Sequence, residues 1–180
     1  MNRSFAFILT ALIAGCGGAA AVDPRTFDLG LNSPSVQLPP VRLGLVRAVA
    51  PFDGTEMHYR LAFRNAAEIA SFVNSRWAAS PGEMMRKQIL RGGAEKTGRC
   101  TMDVEIHEFT QVFAAKEASE ARIELRASLL HPGKNFSKSF SVIEPNAGPD
   151  AAAGAGAFAR AADRAIGELA RWLSTHPDCN

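Results

Sequence analysis

The sequence lacks the short motifs around which many catalytic sites are built. It has no His-Glu-x-x-His pair for a metal, no Gly-x-Ser-x-Gly elbow, and no Ser-x-x-Lys pair beyond its leader. A marked charge of either sign is also missing. Lys and Arg number 20 against 18 Asp and Glu, for a formal net charge of +2, so nothing in the charge predicts nucleic-acid binding by counterion release. Aromatic residues make up 8%, with a single Tyr and two Trp, and no internal repeat is evident. Long apolar runs are absent too. The longest, over 5–14, rises about 15 Å as a helix, roughly half of a hydrocarbon core of about 30 Å. A multi-span membrane protein and a low-complexity disordered chain are both excluded, and one compact domain is the expected size.

What is present begins at the N-terminus. Arg3 precedes the apolar run Phe5 to Ala14, and the small residues Gly15, Cys16, Gly17 and Gly18 follow at once. This order is that of a secretion signal. The stretch Ile13-Ala14-Gly15-Cys16 resembles a bacterial lipobox, in which the Cys thiol takes a diacylglycerol and becomes the mature first residue. Cys16 is then a lipid anchor, since two or more acyl chains hold a protein where one does not, at roughly 0.8 kcal/mol per buried CH₂. An ordinary secretory signal with a Cys near its cut is the other reading. Resemblance to bacterial lipoproteins further implies that Gly17, where an Asp would retain the protein, lets sorting continue to the outer membrane. The expected organisation is a signal peptide over 1–15, a lipidated Cys and flexible tether over 16–25, and one periplasmic domain over 26–180.

Cleavage leaves about 165 residues, enough to bury roughly 70% of the unfolded surface in one core. Two cysteines remain, Cys100 and Cys179, in an oxidising compartment. A bridge between them closes a long loop and stabilises by about 4 kcal/mol on the chain-entropy model. Two unpaired thiols, one near a frayed C-terminus, are the alternative.

The domain reads as α+β. Phe27-Asp28-Leu29 and Val41 to Val49 lie between proline clusters and are expected as strands. His58 to Phe63 and Glu68 to Phe72 flank Arg64-Asn65-Ala66-Ala67 as a hairpin, the second run also fitting a helical turn. Ser80-Pro81 predicts a capped helix to about Leu90, closed by Gly92-Gly93. Three alternating segments, from Thr101 to about Val112, Ala121 to Leu129 and Phe136 to Val142, predict an antiparallel meander with one wet face. The first shifts phase at Glu108-Phe109, as a bulge would. Asp150 can cap a terminal helix to about Ser174, with Phe158, Ala162, Ala165, Ile166, Leu169, Trp172 and Leu173 as its apolar stripe. These elements predict a two-layer sandwich, a mostly antiparallel sheet packed against two helices, the longer one C-terminal.

Candidate chemistry is sparse. Gly154-Ala155-Gly156-Ala157-Phe158-Ala159 fits a loose dinucleotide fingerprint, but Pro149-Asp150 and three alanines stand where a strand should, and close helix packing explains the glycines better. Asp103, Glu105 and His107 share a strand face at about 7 Å spacing, too far apart to hold a metal without converging partners, and a solvated face accounts for them equally well. His58, His131 and His176 have no ligand or base partner in sequence. The sequon at Asn135 reads as chance in a bacterial periplasmic protein. No catalytic residue, metal or cofactor is expected. Arg76-Trp77 suits a partner surface if exposed, and a Trp covering the start of the Pro81 helix if not.

Taken together, Phe27-Asp28-Leu29-Gly30 after the tether, Tyr59-Arg60-Leu61, Ser75-Arg76-Trp77-Ala78 with Pro81 and the Met84-Met85 helix, Glu108-Phe109 in the meander, and the Ala-rich helix ending Arg171-Trp172-Leu173 resemble the ABC-type transport auxiliary lipoprotein component family over about 26–173. The resemblance implies a non-enzymatic outer-membrane lipoprotein. Such a protein works with a mammalian-cell-entry (MCE) type lipid transport system, comprising an ABC permease, its ATPase and a periplasm-spanning MCE protein. By that resemblance the partner is the MCE protein, with lipid and a second copy of the chain as further candidates, and Tyr59, Arg76 and Trp77 form the docking patch. A structural lipoprotein assisting another envelope complex is the alternative, and a periplasmic hydrolase using Asp103 or His107 a more distant one.

Overall fold

The computed structural model describes residues 23–94, 98–146 and 148–179, the side chain of residue 146 excepted. The signal peptide over 1–15, Cys16 and most of the tether lie outside the described residues. Seven strands form one sheet: β1 (Arg25–Phe27), β2 (Arg42–Ala48), β3 (Glu56–Leu61), β4 (Ala70–Trp77), β5 (Thr101–Ala115), β6 (Ala118–His131) and β7 (Lys134–Asn146). Their order is β1-β4-β3-β5-β6-β7, and β2 pairs with the first half of β5. Three helices complete the fold: α1 (Ala62–Asn65), α2 (Pro81–Arg91) and α3 (Ala151–Ser174).

The class is α+β, but the sheet is mixed where alternation predicts a mostly antiparallel one. β3·β4, β5·β6 and β6·β7 are antiparallel, whereas β1·β4, β2·β5 and β3·β5 are parallel. The physical reason is that tight turns such as Pro132-Gly133 impose antiparallel neighbours locally, while parallel pairs depend on where a long crossover returns. Period-2 alternation marks a strand without marking its partner's direction. The expected hairpin turn after β3 is also more structured, since α1 makes one helical turn from Ala62.

Both longer helices start where the sequence supplies acceptors for orphan N–H groups. At α2, Ser80 Oγ accepts from Glu83 N at 3.3 Å and Glu83 Oε2 accepts from Ser80 N at 3.3 Å, with Pro81 in the first turn. At α3, Asp150 Oδ1 accepts from Ala153 N at 2.8 Å. The stripe from Phe158 to Leu173 is buried. Each large apolar side chain on it contributes about 1.5–3 kcal/mol by leaving water. α3 lies along β6 and β7, and α2 packs on β2 and touches α3.

Beneath α3 the sheet sends up Met102, Val104 and Ile106, then Phe109 and Phe113. The switch of phase is a register shift between Ile106 and Glu108, where His107 is the extra residue, one place earlier than the sequence suggests. Phe109 and Phe158 stack at 4.3 Å between ring centres, and Trp77 meets them edge-on at 5.5 and 5.3 Å. A disulfide joins Cys100, just before β5, to Cys179, after α3, with both residues buried. It fastens the end of the helical layer to the start of the central strand.

Candidate functional site

The apolar face of the sheet extends beyond its helices. β3 turns Met57, Tyr59 and Leu61 to the helix side and His58 and Arg60 to the other. Met57 is in the core, but Tyr59 and Leu61, further along, are only half-buried. Tyr59 stands beside Gln111 and Leu61 beside Phe113 on β5. On the other flank β4 is irregular, because its pairing with β3 jumps between Ser71 and Arg76 and leaves residues 72–75 as a bulge. Phe72 rests 4.7 Å from Tyr59, ring to ring, and Phe113 closes the cluster at 6.0 Å. Val73, next on the bulge, is 92% exposed.

A cavity of about 640 Å³, open to solvent, lies over these rings. That volume falls within the usual range of ligand pockets, about 300–1,000 Å³. Its walls come from the two short connections beside it. α1 supplies Phe63, 42% exposed, and Arg64, while the turn from β5 to β6 supplies Lys116. Among the described residues neither Arg64 nor Lys116 makes an ion pair. Elsewhere Arg60 is held by Glu108 at 3.0 Å, and Arg160 and Arg164 share Glu144 at 2.8 and 3.1 Å, while Lys87, Arg126, Lys134 and Lys138, like Arg64 and Lys116, make no ion pair among the described residues. The cavity therefore combines an aromatic floor with two cations that have no counter-charge. Chemically it can take an apolar group that carries an anion; no carboxylate, thiol or imidazole lines it.

The three residues expected as one docking patch are separated. Tyr59 is at this cavity. Trp77 is 1% exposed, which removes it from any partner surface, because β4's pleat turns its side chain into the ring cluster under α3. Arg76 points to the opposite side of the sheet, paired with Glu56 three residues from Tyr59 along β3, with Nε 3.5 Å from Thr26 Oγ1. Phe63, Arg64, Phe72, Phe113 and Lys116 belong to the site and are not singled out by the sequence. The one usable signal is parity within β3, which puts Tyr59 and Leu61 on one face, without telling which strand lies beside them or where the helices stop.

The remaining candidates serve the scaffold. Asp103 Oδ1 accepts from Leu45 N at 2.7 Å and Glu105 pairs with Arg47, so both carboxylates fasten β2 to β5, and His107 Nε2 lies 3.1 Å from Glu105. Among the described residues no three His, Cys, Asp or Glu side chains gather at metal-binding distance. Gly154 lies in the first turn of α3, where a Cβ would collide with Gln111 Oε1. Gln111 Nε2 donates to Ser119 Oγ at 3.0 Å and to the Asp150 carbonyl at 3.3 Å, so the glycine admits a buried amide that ties helix to sheet. No helix among the described residues is long and apolar enough to cross a membrane.

No family model and no curated protein matches the chain. Solved structures do. A crystal structure from Xanthomonas campestris, described under the family DUF330, has a TM-score of 0.68 at 21% identity, covering 82% of this chain and 93% of that one. A second, described as an uncharacterized protein, has a TM-score of 0.64 at 12% identity, covering 84% and 99%. At these identities the likeness shows that the fold is shared.

Proposed function

We propose that the chain is a lipid-anchored accessory component of an MCE/ABC-type lipid transport system, held at the periplasmic side of the outer membrane and acting by contact. The observation that carries this reading is the aromatic face around Tyr59, where Tyr59 and Phe72 are half-exposed beside Phe63, Arg64 and Lys116. An apolar surface kept open at a cost in solubility marks a place of contact. The carboxylates that a hydrolase would need are instead spent on pairing β2 with β5. The sequence resemblance supplies the partner, a periplasm-spanning MCE protein with its ABC permease, and Cys16 supplies the anchor. Tethering raises the local concentration of the contact surface, so a modest interface suffices.

The test is isolation of the tagged full chain from the envelope of its native host. The reading expects Cys16 as the first residue, carrying acyl groups, and an MCE-type protein recovered with it. An unmodified chain with its leader intact, or recovery of a different envelope complex in place of an MCE protein, contradicts it.

A further inference from the structure

β7 is the outermost strand at one end of the sheet and is 13 residues long. Its two halves present different edges. His131 and Lys134 flank the two-residue turn Pro132-Gly133 and so form a hydrogen-bonded pair, after which the even-numbered residues of β7 bond to β6 and the odd-numbered ones face outward. At the C-terminal end these outward groups are already taken up. The Ile143 carbonyl accepts from Arg164, the Pro145 carbonyl accepts from Arg160 Nη2 at 2.9 Å, and Pro145 brings no N–H. Asn135, Ser137, Ser139 and Ser141 instead turn their N–H and C=O groups to solvent, with no covering side chain among the described residues. Such an edge is a template for another strand.

We infer that the open half of this edge takes an extended acidic segment of a partner protein as an added strand. The ladder groups supply the attraction and the charges supply the choice of occupant. Residues 134–143 carry two lysines and no carboxylate. Lys134 and Lys138 lie over Phe136 and Phe140 at 4.7 and 5.2 Å from the ring centres, on the helix side of the strand. On the other side Arg126 reaches Ser137 Oγ at 2.8 Å. An added strand with acidic residues at alternate positions meets these cations. Beside the edge a groove of about 500 Å³ runs between β7 and α3, floored by Val142 and Gly167 with Val36 across it, and nothing stands within 4 Å of where a Gly167 side chain would begin. It has room for an apolar side chain of the incoming strand. A second copy fits less well, because a two-fold axis through the middle of the open stretch sets Lys138 opposite its own equivalent, and like charges directly opposite are destabilising. No residue lining the Tyr59 cavity lies on β7, so this contact is separate from the one proposed above and does not depend on it.

The experiment selects random linear peptides displayed on phage against the full chain purified in detergent. Synthetic copies of the enriched peptides are then measured on the parent, on Ser139→Pro, and on a chain carrying Lys134→Glu with Lys138→Glu. Peptides with acidic residues at alternate positions are expected, binding the parent several-fold more tightly than either variant. Ser139→Pro removes an outward N–H and none that bonds β6, as Pro145 already does, so its unfolding temperature should stay within a few degrees of the parent's. The lysine reversal changes only exposed side chains. Peptides N-methylated at alternate amides read the same edge on the unaltered chain: methylating one alternating set should abolish binding and methylating the other should spare it. No enriched peptide, a neutral or basic consensus, binding that survives Ser139→Pro or the charge reversal, or equal tolerance of both methylated sets overturns the inference. A dimer in solution that Ser139→Pro dissolves also overturns it, by giving the edge to a second copy.

Discussion

Two aromatic trios lie over the same face of this sheet; one is buried throughout, while in the other Phe113 is buried and Tyr59 and Phe72 are only half-buried. Trp77, Phe109 and Phe158 meet at 4.3 to 5.5 Å under α3 and are each about 1% exposed. Tyr59, Phe72 and Phe113 meet at 4.7 to 6.0 Å over the C-terminal end of β3 and the start of β4, beside α1 and the turn from β5 to β6. Composition does not distinguish the two. What does is the place at which α3 begins, fixed by its cap at Asp150 and by Pro149 before it, which itself lines the cavity.

The comparison is broken most severely by removing the covered half's central ring. Phe158→Ala leaves Phe109 and Trp77 facing a void and should cost about 4 to 5 kcal/mol, read as a lowered denaturation midpoint in urea. Reduction of the Cys100–Cys179 bridge, or Cys100→Ser, releases a long loop and should cost about 4 kcal/mol, measured by unfolding with and without dithiothreitol. Gly154→Val forces a side chain onto the buried Gln111 amide and should cost about 2 kcal/mol by thermal unfolding. In the open half, Phe72→Ala should cost about 1 to 2 kcal/mol, because the ring packs against the core but is only half-buried. A loss at Phe72 as large as at Phe158 would make the two trios one core.

The contrast also explains what the sequence could disclose. α2 and α3 were legible because Ser80-Pro81 and Asp150 cap them and the apolar residues from Phe158 to Leu173 recur at helical spacing. The meander from β5 to β7 was legible because alternation and Pro132-Gly133 are local signals. Parallel pairing of β3 with β5 was not, since it depends on the route taken through α1, β4 and α2. The site fell between these cases. Tyr59 was named in the expected docking patch and now lies at the cavity, whereas Phe72 and Arg64 entered only as hairpin residues and Phe113 and Lys116 fell beyond the expected strand end at about Val112. Trp77, the most conspicuous candidate, proved to be packing. A residue's side of a strand is written in its parity; whether a helix covers it is decided elsewhere in the chain.

The most direct test is partner recovery by a chain carrying Tyr59→Ser and Phe72→Ser together. If the open trio exists for contact, this variant stays folded, its unfolding temperature lowered by about 2–4 °C for each kcal/mol lost in a domain of this size, and no longer recovers the MCE protein from the native envelope. A variant that stays folded and recovers the same partner in the same amount would contradict the account.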